Sequence, residues 1–354
     1  MNQKALSTLE YTKIIAQLEE YASTSMGKKR CRELVPINDL QEIKTAQAQT
    51  SDALARILRK GSISFSGAKD IRDSLLRLKV GSSLSIAELL RVSALLRVAL
   101  RASDYGKRDH EPGEEDDALD AMFRELAPVV SLAKEIDRCI LSEEEIADDA
   151  SNGLRSVRRA MKTAAEKIRT QLNSLVVNSR TYLQDGVITM RNGRYCVPVK
   201  AEHKSNVPGM VHDQSSSGST IFVEPLSVVK LNNELRELEI REQKEIEAVL
   251  AALSNQTCDH LDELTLDLEL IGELDFIFAK AALSRHYRGC EPRLNKDGII
   301  RLKNARHPLL DPHRVVPITL TLGENFDLLI VTGPNTGGKT VSLKTVGLLT
   351  LMGL

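Results

Sequence analysis

The stretch Gly333-Pro334-Asn335-Thr336-Gly337-Gly338-Lys339-Thr340 decides how the end of this chain is interpreted, and the rest can be worked out from it. It matches the pattern G-x-x-x-x-G-K-[ST]. The apolar residues before it predict a buried strand over 327–332, and the residues after it predict a helix over 339–352. Glycines let the backbone wrap around a phosphate without Cβ clashes, and amides at a helix start attract anions. The stretch therefore predicts a P-loop.

A P-loop indicates ATP, with Mg²⁺, as the ligand. Lys339 can neutralise the β and γ phosphates, and the Thr340 hydroxyl can ligate Mg²⁺ through the bound nucleotide. All eight residues are candidate nucleotide contacts: Gly333, Pro334, Asn335, Thr336, Gly337, Gly338, Lys339 and Thr340. Only 14 residues follow Thr340, without a later strand ending in Asp-Glu. We therefore expect weak nucleotide binding without turnover and assign no catalytic residue.

Upstream of the P-loop, heptad spacing predicts two long helices. The first arm has apolar positions three and four residues apart, at Leu154, Val157, Met161, Ala164, Ile168, Leu172 and Leu175. The second, the return arm, follows Pro225. If continuous over about 60 residues it would be roughly 90 Å long. Two such arms around an insert predict an antiparallel coiled-coil lever.

The charges of the two arms differ in sign. Residues 151–185 carry seven Lys or Arg against two Asp or Glu, while 226–275 carry four against 13. This pattern favours attraction between the arms as the role of the basic residues. Contact with nucleic acid is the alternative.

The insert between the arms, residues 186–225, changes to strand periodicity. Asn192-Gly193 is a strong signal for a two-residue hairpin turn, and Pro198 predicts an edge strand. A small β structure at the tip of a helical lever suggests contact with a partner. Its candidate nucleic-acid contacts are Arg191, Arg194, Lys200 and Lys204. The alternative for Arg191 and Arg194 is that they only keep the hairpin turn soluble.

Composition is consistent with a mostly α-helical protein. The 354 residues are 42% hydrophobic and only 3% aromatic, without Trp. The predicted segments are a helical core (1–145), the first arm (146–185), the β insert (186–225), the return arm with core helices (226–290) and the start of an α/β P-loop ATPase domain of the ABC type (291–354). The net charge of −1 argues against a whole-surface grip on nucleic acid. Scattered cysteines, no long apolar run and no signal peptide predict a cytoplasmic protein without a membrane partner.

Several motifs resemble the MutS family, in particular its type-two subfamily. They are the P-loop, its continuation Val341-Ser342-Leu343-Lys344-Thr345-Val346-Gly347-Leu348-Leu349, the segment Asn304-Ala305-Arg306-His307-Pro308-Leu309-Leu310, the opening Thr8-Leu9-Glu10-Tyr11, and residues 211–225 of the β insert. The resemblance covers the whole chain and implies the N-terminal part of such a protein, ending just after the P-loop helix.

The resemblance implies a homodimeric ring with a helical core, lever arms, a nucleic-acid-contacting clamp at their tips and paired ATPase sites. The resemblance places the β insert in that clamp. The subfamily is associated with suppression of recombination, with branched DNA, with rescue of collided ribosomes and, in many members, with a Smr nuclease domain. It also places the adenine near Val315-Val316, which implies aliphatic packing against the base.

This chain differs from mismatch-repair members of the family. It starts directly on the core helices, so we expect no N-terminal domain with a Phe-x-Glu wedge. Phe222-Val223-Glu224 matches that string by chance.

Three hypotheses follow. The first is an ATP-gated nucleic-acid clamp acting on DNA, on stalled ribosomes, or on both. The second is a module that binds ribosomal RNA, with no role for DNA. A coiled-coil ATPase of the chromosome-condensing type is rejected, because there the arms follow the P-loop.

Overall fold

A computed structural model describes residues 3–107, 116–334 and 338–354. The described residues form two compact units. Unit 1 comprises those of Met1–Leu76, Arg91–Ala133 and Asp259–Leu354, and unit 2 comprises Arg77–Leu90 and Lys134–Cys258. As expected, the protein is mostly helical, with small antiparallel sheets.

The helices, in chain order, are α1 Gln3–Thr8, α2 Tyr11–Tyr21, α3 Ser25–Glu33, α4 Leu40–Lys60, α5 Arg72–Lys79, α6 Ile86–Gly106, α7 Asp120–Glu125, α8 Val130–Cys139, α9 Asn152–Asn178, α10 Leu226–Cys258, α11 Leu261–Tyr287 and α12 Lys339–Gly353. A 3₁₀ helix covers Ala201–Asn206. The strands are β1 Ile140–Ser142, β2 Glu145–Ile146, β3 Thr189–Arg191, β4 Arg194–Lys200, β5 Gly209–Gln214, β6 Thr220–Pro225, β7 Ile300–Ala305 and β8 Ile318–Leu322.

The core of unit 1 surrounds α11, which is buried along most of its length. Apolar residues of α1, α2, α3 and α12 meet it in one cluster that includes Leu6, Tyr11, Cys31, Phe276 and Leu348. Four of the few aromatic residues also gather in this unit. The rings of Phe65, Tyr105 and Phe123 lie 5.8–6.2 Å from that of Phe278 and meet it edge-on. Aromatic side chains thus contribute more to this helical core than their number suggests.

A buried carboxylate fixes α3 to α11. Asp275 of α11 accepts hydrogen bonds from the backbone N–H of Ser23 at 3.0 Å and of Thr24 at 2.8 Å. It accepts two more from their hydroxyls, at 2.9 and 2.7 Å. The Thr24 hydroxyl in turn caps α3 by accepting from Gly27 N. A Cβ on Gly27 would lie 2.2 Å from Oδ2 of Asp275, so the helices can approach this closely only with glycine there.

We predict that Asp275→Ala destabilises the protein by about 3 kcal/mol, because several buried donors lose their acceptor. Unfolding in urea, followed by circular dichroism, measures the change. Glu269→Gln is the matched control on the same helix, since Glu269 forms exposed ion pairs with Arg30 and Arg72. Such pairs contribute about 1 kcal/mol or less. Equal effects of the two changes would contradict the assigned role of Asp275.

A second buried carboxylate in α11 lacks full pairing. Asp267 is fully buried, and its Oδ1 accepts from Ala127 N at 2.8 Å. Its Oδ2 has no hydrogen-bond partner among the residues that the structure describes. Burial raises the pKa of Asp267 to about 6, against the lowering effect of the Ala127 hydrogen bond. The folded protein therefore keeps this proton to higher pH than the unfolded chain does.

Because the unfolded carboxyl titrates near pH 4, the stability contribution of Asp267 is fully present below that pH and is lost as pH rises through about 6. We predict that Asp267→Asn removes this loss of stability with rising pH, because the asparagine side chain cannot titrate. The stability of the variant relative to the unchanged protein should rise by about 2–3 kcal/mol between pH 4 and pH 7. Urea unfolding at both pH values tests this. As a control, Asp262→Asn removes an exposed carboxyl from the same helix. An equal change in stability with pH for both variants would contradict the role assigned to Asp267.

Unit 2 is built on α9 and α10. Apolar residues of the predicted seam, including Ala164, Ile168 and Leu172, are buried with Leu235 and Leu238 of α10. Polar contacts pair Ser151 with Glu245, and Arg158 with Glu242. Partner numbers on α10 fall as numbers rise along α9, so the two helices run antiparallel.

The β insert forms a four-stranded antiparallel sheet in the order β3-β4-β6-β5. Asn192 and Gly193 both have positive φ, at 50° and 73°, as a tight hairpin turn requires. One sheet face, with Val197, Val199 and Val223, joins the apolar cluster of α9 and α10. Pro198 lies in β4, a central strand, and not at the sheet edge as expected. Its register partner is Phe222 of β6.

The return arm is not one continuous helix. It breaks at Asp259-His260, between α10 and α11. Asp262 and Glu263, in the first turn of α11, favour a new helix N-terminus there. The apolar spacing continues across the break because α11 is a core helix, so the sequence pattern conceals the interruption.

The strand predicted over 327–332 is not formed. Leu328 and Ile330 are each 75% exposed, and 328–332 is irregular. A buried parallel strand needs strands on either side. Among the described residues, the nearest sheet in sequence, β7-β8, contains only those two strands.

No helix in the described ranges is long and apolar enough to cross a bilayer.

Candidate nucleotide and nucleic-acid sites

The described part of the P-loop leads directly into α12. Gly333 has a φ of 139° and Gly338 a φ of 79°, conformations that favour glycine. Gly338 is the N-cap of α12, and its carbonyl accepts the first helical hydrogen bond, from Ser342 N at 2.9 Å. The Lys339 amine donates a hydrogen bond to the carbonyl of Gly333. Asn335, Thr336 and Gly337 lie outside the described residues.

This geometry suits an anion. The amides of Lys339, Thr340 and Val341 precede Ser342, the first residue whose amide donates within α12, so these three amides have no acceptor inside the helix. Lys339 adds a positive charge on the same side of the loop, and Thr340 is exposed. These donors and the hydroxyl are the groups that a Mg²⁺-bound triphosphate requires.

The helix after the loop is anchored to the N-terminal helices. Lys344 of α12 forms an ion pair with Glu10, Nζ to Oε2, at 3.0 Å. Glu10 also accepts a hydrogen bond from Lys13. The bonds from Lys13 and Lys344 lower the pKa of Glu10 to about 2, and Lys13 has the larger effect. A Cβ on Gly347 would lie 2.8 Å from Leu9, so α12 packs closely against this segment. The sequence alone did not identify the Glu10–Lys344 pair.

His307, in the segment that resembles the start of the ATPase domain, is buried. Its Nδ1 accepts a hydrogen bond from Leu309 N at 3.3 Å, which leaves any proton of the neutral ring on Nε2. Burial lowers the pKa of His307, with Glu10 opposing and Lys344 reinforcing that shift. Val316 is exposed before β8, and Val315 is half-buried.

In the β insert, a buried glutamate collects the polar groups. Glu224 is 0% exposed. Its Oε1 accepts from Arg194 and from Asn232, both at 2.8 Å, and its Oε2 accepts from His212 at 2.6 Å. Burial would raise the pKa of Glu224, but these hydrogen bonds outweigh it and hold the pKa below its usual value. Asn232 also bonds both backbone groups of Tyr195, which ties α10 to β4.

The four predicted nucleic-acid contacts therefore have different surroundings. Arg194 is bound to Glu224 and to Asn233. Arg191 pairs with Asp213 at 3.1 Å and lies over the Phe222 ring at 4.1 Å. Lys200 donates to the carbonyl of Thr181 at 3.3 Å. Lys204 is exposed and has no such partner among the described residues. Sequence reasoning missed the roles of Glu224 and Asn232; the polar Asn232 among the apolar positions of the return arm was the available signal.

Relatives of known name match this chain along its whole length. A protein named Endonuclease MutS2 from Agathobacter rectalis is 55% identical over 355 residues, which cover 100% of this chain and 45% of that protein. The chain belongs to the MutS2 family. MutS2 proteins from Lachnospira eligens and Lachnoclostridium phytofermentans are 54% and 52% identical, covering 99% and 100% of this chain.

This MutS2 chain spans about 45% of the length of these relatives. No protein-family model matches it. Within the ranges that the structure describes, no group of three or more His, Cys, Asp or Glu side chains could hold a metal ion.

We predict that Arg194→Ala destabilises the protein by about 3 kcal/mol, because it leaves a buried carboxylate without its cation. Lys204→Ala, in the same β insert, should change stability by less than about 0.5 kcal/mol. Thermal unfolding of both variants measures the difference. An Arg194→Ala variant that melts like the Lys204→Ala variant would show that Arg194 has no structural role.

Proposed function

We propose that this MutS2-family chain binds Mg²⁺-ATP at its P-loop and nucleic acid through unit 2, as part of an ATP-gated clamp. The observation that carries the proposal is the arrangement at the start of α12. There the Lys339 amine bonds the Gly333 carbonyl, and Gly338 is the N-cap of a helix whose first amides have no acceptor within it. This donor set is typical of a triphosphate site.

The residues of the loop have distinct roles in this proposal. Lys339 would leave the Gly333 carbonyl for a phosphate oxygen, which is a stronger, charge-assisted partner. Thr340 would hold the metal ion that accompanies the nucleotide. The nucleotide also sets the charge at the loop, because ATP carries a triphosphate and ADP carries a diphosphate. The remaining motif residues, including Asn335, Thr336 and Gly337, would contribute loop amides.

Two parts of the architecture acquire a role in this clamp. We take α9 and α10 as the coiled-coil lever, with the β insert at one end of the pair. Residues 291–354 would open the ATPase domain, in which further residues would cover the segment 327–332. The exposed side chains of Leu328 and Ile330 support this, since such residues are ordinarily buried. A second copy of the chain is the proposed partner.

The nucleic-acid part of the proposal rests on two features. The relatives are named endonucleases, enzymes that act on nucleic acid. In addition, α9 carries six Lys or Arg and one Glu. DNA and ribosomal RNA present the same phosphates, so competition between branched DNA and ribosomes for the protein distinguishes these targets.

We predict that Lys339→Ala abolishes binding of Mg²⁺-ATP, measured by isothermal titration calorimetry with the full chain. Lys344→Gln is the matched control on the same helix, because its amine contacts Glu10 and not the loop. It should retain binding within about threefold, less than 1 kcal/mol. Unchanged binding by Lys339→Ala, or no binding by the unchanged protein at millimolar nucleotide, would refute the site.

A further inference from the structure

Most basic residues of α9 form no ion pair with the part of the chain that the structure describes. Opposite charges on the two arms predicted mutual attraction. Across to α10, however, only Arg158 forms an ion pair within the described part of unit 2, with Glu242 at 2.7 Å. Arg155 pairs with Asp149, before α9, at 3.8 Å. Arg159, Lys162, Lys167 and Arg169 have no ion pair with any described residue. Attraction between the arms therefore does not account for most of this charge.

Three of the unpaired cations lie on one side of α9. At 100° per residue, Arg159, Lys162 and Arg169 fall within an arc of about 80°. This arc faces away from the buried seam, and all three side chains are exposed. We call these three residues the basic ridge. Its only acidic neighbour on the helix is Glu166, which is also exposed and lies within the same arc.

We propose that the basic ridge binds the phosphate backbone of duplex DNA. The ridge is about 15 Å long at 1.5 Å per residue. Over that length a DNA duplex carries about nine phosphate charges, so each of the three cations can reach a phosphate without bending of the duplex. The inference rests on the proposed function only in taking nucleic acid as the class of partner.

The chemistry of α9 favours a duplex over a single strand. Proteins that bind single strands stack the bases on aromatic side chains. The sequence of α9 contains no aromatic residue, so the ridge offers only charge. Contacts between cations and phosphates position a protein on the nucleic-acid backbone and do not distinguish base sequences. B-form DNA fits this surface because the phosphates of both backbones lie on the outside of the duplex, where the side chains of a rigid helix can reach them.

The test replaces the three cations together, as Arg159→Gln, Lys162→Gln and Arg169→Gln in the full chain. Affinity for a 30-base-pair DNA duplex is measured by fluorescence anisotropy at several salt concentrations. Loss of three phosphate contacts should reduce the slope of log K against log salt by about 2.7, or 0.9 for each contact. The change should be the same for duplexes of different sequence.

The matched control removes the same charge elsewhere in unit 2, as Lys167→Gln, Arg241→Gln and Lys244→Gln. All three side chains are exposed without an ion pair to any described residue, and Lys167 lies about 120° around α9 from the centre of the ridge. The slope of log K against log salt for this control variant should match that of the unchanged protein. In the opposite direction, Glu166→Gln removes a repulsive charge from the ridge and should tighten DNA binding severalfold.

Each other outcome overturns the inference. Equal slopes for the ridge and control variants, with DNA binding intact, reject the ridge but leave the proposed function standing. No DNA binding by the unchanged protein rejects both the ridge and the DNA-binding part of the proposed function. A slope change with duplex RNA but not with DNA assigns the ridge to RNA. Loss of self-association in sedimentation, without a change in slope, assigns it to contact with a second copy. Melting temperatures and Mg²⁺-ATP binding should be unchanged in all variants.

Discussion

A carboxylate removed from water must receive hydrogen bonds from the protein, and this requirement organises both units. In unit 1 the carboxylate is Asp275, which receives four hydrogen bonds from Ser23 and Thr24. These bonds fix the corner between α2 and α3 against α11. Because α1 and α2 form part of the surface on which α12 packs, the position of the P-loop helix depends on the same corner.

In unit 2 the corresponding carboxylate is Glu224, and pairing it determines which cations remain free. Arg194 and His212 are drawn to Glu224, and Asn232 is bound between Glu224 and β4. A basic residue near a hairpin turn is therefore not automatically available to a ligand. By contrast, Arg159, Lys162 and Arg169 of α9 have no ion pair with any acid that the structure describes. Because they are exposed, these three cations are better candidates for phosphate contact than Arg194 is.

Features that depend on nearby residues were predictable from the sequence. The Asn192-Gly193 hairpin and the seam through Ala164, Ile168 and Leu172 follow from local spacing and turn preference, and both are present. The prediction of a strand over 327–332 was wrong, because strand formation depends on neighbouring strands from elsewhere in the chain. Likewise, the partner of Arg194 lies 30 residues away. No local pattern indicates which acid a given arginine will meet after folding.

The P-loop helix joins two charge interactions on one rigid element. Lys339 at its first turn contacts the Gly333 carbonyl, while Lys344 contacts Glu10, five residues or about 7.5 Å further along the axis. If a triphosphate takes Lys339 from the loop, the start of α12 is drawn toward the ligand, and Lys344 resists through Glu10. Glu10 has a φ of 60°, which is uncommon for a residue other than glycine, and it precedes α2. The connection between α1 and α2, where Glu10 has this φ, is thus the part of the N-terminal helices that is joined by charge to the P-loop helix.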